Sequence, residues 1–245
     1  DGPHVLVRDT TAAFHALAAA ARARSGAKRI AVTGSVGKTG VKEAIFAALD
    51  RSSRGQAHRS VRSYNNHVGV PLSLARLGAR ARYGGFEMGL NNPGEIAPLA
   101  EHVRPDVAVI TTIAPAHIEN LGTLEGIADE KAQIFTGLKP GGAAVIPADS
   151  PQFERLRVHA EAAGADIFSF GRTADARVRL LDAIPAANGG ASLVTAQIDD
   201  VRLCYSVAEP GEHWIDNSLA VMAAVYAVGG DLGALAALVA TTVSM

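Results

Sequence analysis

The chain has 245 residues, 48% hydrophobic and 19% charged, with a formal net charge of -1; this excludes general disorder and offers no basic excess for nucleic acid or an anionic membrane. The length suits one large domain, or one domain with part of a second. The single cysteine, Cys204, excludes a disulfide framework and a thiolate zinc site; no apolar run approaches the roughly 18 residues of a membrane span and no signal-peptide pattern opens the chain, so a cytoplasmic protein is expected.

The chain starts at Asp1 without an initiator Met and stops at Met245 directly after an Ala-rich helix, so it reads as a piece of a longer protein. His4 to Thr10 (HVLVRDT) is expected to be a short strand, followed by an Ala-rich helix from Thr11 to Arg24. Arg29 to Thr33 (RIAVT) is a buried-strand run and Lys38 to Arg51 a helix. Gly85 to Met88 is a short apolar run. The next helix is expected from Pro93 to His102, with Asn92 as its cap and Pro in first position. Asp106 to Ile113 is the clearest central strand. A helix from Leu124 to Leu138, a strand from Ala143 to Pro147, a helix from Gln152 to Ala163 and a strand from Asp166 to Phe170 continue the alternation. Such alternation predicts an α/β fold, a mainly parallel sheet covered by helices on both faces. Beyond Arg172 the runs Arg177 to Ile184, Ser192 to Ile198 and Val201 to Val207, with a turn at Asn188-Gly189-Gly190, predict a small three-stranded antiparallel add-on. Helices from Asn217 to Val228 and from Leu232 to Val243 close the chain.

The strongest local signal is Thr33-Gly34-Ser35-Val36-Gly37-Lys38-Thr39, set between a strand and a helix as a phosphate loop requires. Gly34 and Gly37 let backbone N–H groups close around phosphate oxygens, and the helix that follows aims its positive end at them. Lys38 would neutralise β- and γ-phosphates, and Thr39 would offer its hydroxyl to Mg2+. The glycines are closer together than in G-x-x-x-x-G-K-[ST], because Val32 stands where the first Gly would be. The alternative is a Gly-rich turn with a solvated lysine.

A magnesium nucleotide site also needs hard ligands beside the phosphates. Glu87 ends a short apolar run and precedes Met88-Gly89, which suits the carboxyl edge of a parallel strand, where open α/β sheets bind ligands. Taken alone it reads equally as an edge-strand surface glutamate. His117 lies just past the central strand and Lys131 on the helix after it. A loop histidine and a solvated helix lysine are the ordinary readings of these two.

Together these pieces resemble the Mur ligases, ATP-dependent amide-forming enzymes. The matching segments are TGSVGKTG (Thr33 to Gly40), NNHVGVPLSL (Asn65 to Leu74), FEMGLNNPGEIAPLA (Phe86 to Ala100), AHIENLGTLEGIADEKAQIF (Ala116 to Phe135) and GEHWIDNSLAVMAA (Gly211 to Ala224). The resemblance is to the branch that adds D-Ala-D-Ala to UDP-N-acetylmuramoyl-tripeptide in peptidoglycan synthesis. It implies that residues 1–26 are the tail of an N-terminal UDP-sugar domain with its linker. Residues 27–245 would be the central ATP-binding domain, and the family's C-terminal domain would be absent, leaving this piece inactive by itself.

The resemblance also implies roles. ATP would lie on Gly34, Ser35, Val36, Gly37, Lys38, Thr39 and Gly40, with Asn65 and Asn66 facing phosphate and substrate and Asn217 near the adenine. Thr39 and Glu87 would hold one Mg2+ and His117 a second. Lys131 falls on a lysine that many members carry as a carbamate, a modification that needs a neutral amine and hence a lowered pKa. Lys38, His117 and Lys131 form the implied catalytic set. The chain departs from the usual pattern at His213-Trp214, at Asn91-Asn92-Pro93 and at Thr112. The implied protein is a cytoplasmic monomer with no nucleic-acid or membrane partner. Competing readings are a folylpolyglutamate or cyanophycin synthetase, and a nucleotide-binding module without ligase activity, which Trp214 keeps open.

Overall fold

The computed structural model describes residues 2, 4–115, 122–185 and 190–234. Its parallel strands are β1 (Lys28–Thr33), β2 (Ala57–Arg59), β3 (Tyr83–Glu87), β4 (Val107–Ile110), β5 (Ala143–Pro147) and β6 (Asp166–Gly171). β3, β4 and β5 are buried at every residue. Strands covered on both faces read as continuous apolar runs, so RIAVT and VAVI carried no alternation.

The sheet continues through β7 (Val178–Pro185), β8 (Ser192–Ile198) and β9 (Val201–Val207), giving nine strands in the order β2-β3-β1-β4-β5-β6-β7-β8-β9. β7 pairs parallel to β6 at Phe170 and Gly171, then antiparallel to β8, which pairs antiparallel to β9. The expected antiparallel add-on is therefore an extension of the main sheet. Part of its expected turn, Asn188-Gly189, lies outside the described residues.

Helices sandwich the sheet, and successive residues of β1 point to opposite layers. Ile30 and Val32 join a core with α2 (Lys38–Ser52) and, late in the chain, the helix Glu212–Ala227, through Ile45, Leu49, Leu219 and Met222. Ala31 joins the other core, beneath α1 (Thr10–Arg24), α3 (Gly69–Ala75), α4 (Ile96–Val103), α5 (Leu124–Ala132) and α6 (Phe153–Ala162). Glu212–Ala227 is α7.

Several expectations are corrected. Residues 4–9 form no strand: Val5 and Leu6 are 86% and 96% exposed, and Asp9 instead caps α1, accepting from Thr11 N and Ala12 N. The helix expected from Pro93 begins at Ile96. Gly94 has φ +85°, and the Glu95 carboxylate accepts from Asn91 N and from Asn92 Nδ2, closing a turn where a first helical turn was expected. The helix expected from Leu124 to Leu138 is α-helical to Ala132 and 3-10 from Gln133 to Gly137. Gly137 packs so close to Ala100 that a Cβ there would sit 2.2 Å from the Ala100 carbonyl oxygen. β4 ends at Ile110, and α7 starts at Glu212, ahead of the expected Asn217. β2 and α3 were not anticipated. Of the expected final helix, Leu232–Ala234 is a 3-10 turn, and the rest lies outside the described residues.

Candidate nucleotide-binding site

The loop between β1 and α2 is clamped to the segment that leaves β4. Ser35 N donates to Thr112 O at 2.8 Å, Ser35 Oγ donates to Ala114 O at 2.9 Å, and Ala114 N donates back to Ser35 Oγ at 3.0 Å. Thr111 Oγ1 donates to Val36 O. The glycines let these backbones approach. Gly34 has φ +148°, and a Cβ there would lie 1.9 Å from Thr111 Oγ1. Gly37, at φ +87°, is the N-cap of α2 and has no side chain to occupy the helix's first N–H groups. α7 covers the loop from the side: a Cβ on Gly37 would fall 2.8 Å from Asn217 Oδ1, and one on Gly40 2.7 Å from the Trp214 ring.

Lys38 Nζ donates to Gly34 O at 2.8 Å and to Ser35 O at 3.2 Å, folded back on its own loop. Burial lowers its pKa, and the Glu87 charge opposes that shift. Glu87, at the carboxyl end of β3, is 1% exposed and held on both oxygens. Thr39 Oγ1 donates to its Oε2 and Asn65 Nδ2 to its Oε1, each at 2.8 Å. Asn65 is fixed in turn by Gly89 N, which donates to its carbonyl at 2.8 Å.

Lys131 reaches the same neighbourhood from α5, whose start Thr123 caps by accepting from Gly126 N. It is 2% exposed, and its pKa is lowered to about 8, first by burial and then by the Lys38 charge, with Glu130 opposing. Asn66 Oδ1 accepts from Val68 N and Gly69 N, so this side-chain oxygen is engaged at the start of α3. His117 lies outside the described residues. Among the described residues no three His, Cys, Asp or Glu side chains form a metal cage. A metal here would draw on Thr39, Glu87 and oxygens of a ligand.

Sequence reasoning missed Lys42, whose buried ammonium stands 3.8 Å from Glu87 Oε2. It lies one helical turn past Lys38, and that spacing was its only signal. A cavity of about 280 Å3 opens beside Asn66, His67 and Gly89, with His15, Leu99 and His102 in its walls.

A glycine-lined loop feeding a helix at the carboxyl edge of a parallel sheet defines an α/β domain of the phosphate-loop class. The family model for the Mur ligase middle domain matches residues 32–225, and the chain belongs to the Mur ligase family. It is 35% identical over 237 residues to the UDP-N-acetylmuramoyl-tripeptide–D-alanyl-D-alanine ligase of Escherichia coli K12, covering 97% of this chain and 51% of that one. The crystal structure of MurF from Acinetobacter baumannii superposes with a TM-score of 0.90 at 28% identity, covering 98% of this chain and 52% of that one. The MurF ligase of Thermotoga maritima in complex with ADP gives 0.83 at 26% identity, covering 98% and 54%. The chain thus spans about half the length of the relatives it matches.

Proposed function

We propose that this chain is the ATP-binding unit of a ligase that joins D-Ala-D-Ala to UDP-N-acetylmuramoyl-tripeptide in peptidoglycan precursor synthesis. In this reading residues 27–245 form that unit, and 1–26 are the tail and linker of a UDP-sugar domain. The names of the relatives support the substrates. The observation that carries the chemistry is Glu87, held between Thr39 and Asn65 beside the loop that bears Lys38.

The residues fit a magnesium nucleotide. At Gly34 and Gly37 the backbone is bare where any Cβ would strike Thr111 or Asn217. Thr39 and Glu87 offer hard oxygen donors, the type Mg2+ takes; the role of His117 with a second ion rests on the family resemblance alone. Bound there, Mg2+ would offset phosphate charge. Lys38 would exchange its loop carbonyls for phosphate oxygens, and Asn217 would border the base.

The reaction is carboxylate activation. A carboxylate is a poor acyl donor because oxide would have to leave. Transfer of the γ-phosphoryl group of ATP to the tripeptide carboxylate gives an acyl phosphate and ADP. The amine of D-Ala-D-Ala then attacks the acyl carbon and loses a proton, and phosphate departs with the bonding pair. Positioning and charge neutralisation do this work, with no protein nucleophile. The lowered pKa of Lys131, about 8, enlarges the neutral share of the amine, the form that carbamate formation with CO2 requires. Cytoplasmic, monomeric action belongs to the same reading; among the described residues no helix is long and apolar enough to cross a membrane.

The test is phosphate release from ATP by the intact polypeptide that carries this chain. Release should require both the UDP-linked tripeptide and D-Ala-D-Ala. A folded protein that binds MgATP yet turns over neither substrate would be a nucleotide-binding module instead. Turnover of a folate with glutamate would make it a folylpolyglutamate synthetase.

A further inference from the structure

We infer that Lys42 is a positioning residue for the metal-phosphate site: one buried ammonium charge-balances Glu87 and anchors the loop that delivers Asn65. The inference rests on reading that site as a magnesium-nucleotide site.

Lys42 is fully buried on α2, one turn beyond Lys38. Its Nζ is surrounded by oxygen: Ser60 O at 3.0 Å, Arg62 O, Glu43 Oε1 at 3.0 Å and Glu87 Oε2 at 3.8 Å. Glu43 is shared, since its other oxygen pairs with Arg59 Nε at 2.6 Å. A buried ammonium is tolerated only when paired and hydrogen-bonded; here Glu43 supplies the nearer carboxylate, and the other partners are Glu87 itself and the carbonyls of the segment that runs from Ser60 towards Asn65.

Two mechanical links run from Lys42 to that carboxylate. Directly, its charge faces the Glu87 oxygen that Thr39 also contacts. Indirectly, it holds the Ser60 carbonyl, while the Ser60 hydroxyl accepts from Glu87 N at 3.3 Å. The same grip on Ser60 and Arg62 fixes the start of the loop that carries Asn65 to Glu87 Oε1. Methionine would fill the same space. What lysine adds is a positive charge shared between Glu43 and Glu87, and donors to the carbonyls of Ser60 and Arg62.

The test compares ADP binding with Mg2+ and with EDTA by calorimetry, in wild type, Lys42→Met and Lys42→Arg, alongside melting temperature. Lys42→Met should erase at least tenfold of the affinity gained from Mg2+, leave metal-free ADP affinity within threefold, and be partly rescued by Lys42→Arg. Equal losses with and without Mg2+, or no loss, would overturn the inference and leave Lys42 a packing residue. If Lys42→Met does not fold, Lys42→Met/Glu87→Gln decides. Recovery of a folded chain when both charges are removed supports the pairing, and failure to recover overturns it. Failure of wild type to bind ADP at all would instead refute the nucleotide reading on which this rests.

Discussion

Thr39 Oγ1 and Glu87 Oε2 meet at 2.8 Å, although 48 residues separate them in the chain. The contact joins the first turn of α2, which follows β1, to the end of β3, the strand paired in parallel with β1. Replacing either partner should weaken Mg-dependent ADP binding by about 10- to 100-fold, the scale of about 1.5–3 kcal/mol for a hydrogen bond to a charged group. Titrating Thr39→Ala and Glu87→Gln with ADP, in Mg2+ and in EDTA, checks this. The loss should be confined to the Mg2+ arm.

Gly34 has no room for a side chain. An alanine there meets Thr111 Oγ1 and also inherits a backbone conformation that L-residues rarely adopt. Gly34→Ala should lower stability by about 1–3 kcal/mol and abolish nucleotide binding. Adding Thr111→Ala removes the Oγ1 contact but leaves the Cβ and backbone N of residue 111 at 3.1 Å and the backbone strain, so the double variant should regain only part of the lost melting temperature. Full recovery would show that the Thr111 hydroxyl alone forbids a side chain.

The loop at the carboxyl edge of the sheet was legible because its residues are punctuation in an apolar text. Gly34, Gly37, Lys38 and Thr39 interrupt the passage from RIAVT to the next helix, and Glu87 ends a buried strand. The parallel strands were legible for the same reason: both faces are buried, so their apolar runs are unbroken. Lys42 was not legible, since a helix lysine is ordinarily solvated, and only the packing of β2 and the 60–62 loop encloses it. α3 was hidden by its brevity and by Pro71, harmless in a first helical turn. The start of α4 was misread because Asn92-Pro93 mimics a cap, and the side chain that decides is Glu95.

Trp214 is the chain's one tryptophan, and its ring edge lies against Gly40 at the start of α2. Occupation of the loop should therefore alter its emission. A saturable fluorescence change on adding MgADP is expected in wild type. The amplitude should vanish in Lys38→Ala at the same nucleotide concentration, with a circular-dichroism spectrum like wild type. In the intact polypeptide Lys38→Ala should also abolish phosphoryl transfer. Retained turnover would count against the role given to Lys38.

Lys131 gives a pH dependence of known sign. Its folded pKa of about 8 lies below the ordinary 10.5. Between those values the unfolded chain binds more protons, so this group makes the fold more stable as pH rises through that window. Denaturant midpoints measured across it should climb less steeply in Lys131→Met than in wild type. Above that pKa the neutral amine should capture CO2 in equilibrium with labelled bicarbonate, with loss of a proton, giving a carbamate carbon resonance that Lys131→Ala lacks. A resonance that persists in Lys131→Ala would assign the modification elsewhere.

Ile45 tests whether the core and the site on α2 are separable. Its side chain is 1% exposed and belongs to the core that also holds Leu49, Leu219 and Met222. The same helix carries Lys38, Thr39 and Lys42 two turns or less away. Truncating a buried isoleucine to alanine costs about 2–5 kcal/mol through lost burial and the cavity left behind. Ile45→Ala should thus lower the melting temperature strongly. Because the groups around Glu87 are fixed by Thr39, Asn65 and Ser60, and not by Ile45, the ratio of ADP affinities with and without Mg2+ should stay within about twofold of wild type, a difference below about 0.4 kcal/mol. Measured below the unfolding transition, a collapse of that ratio would mean that α2 shifts as a body when its core contact is lost.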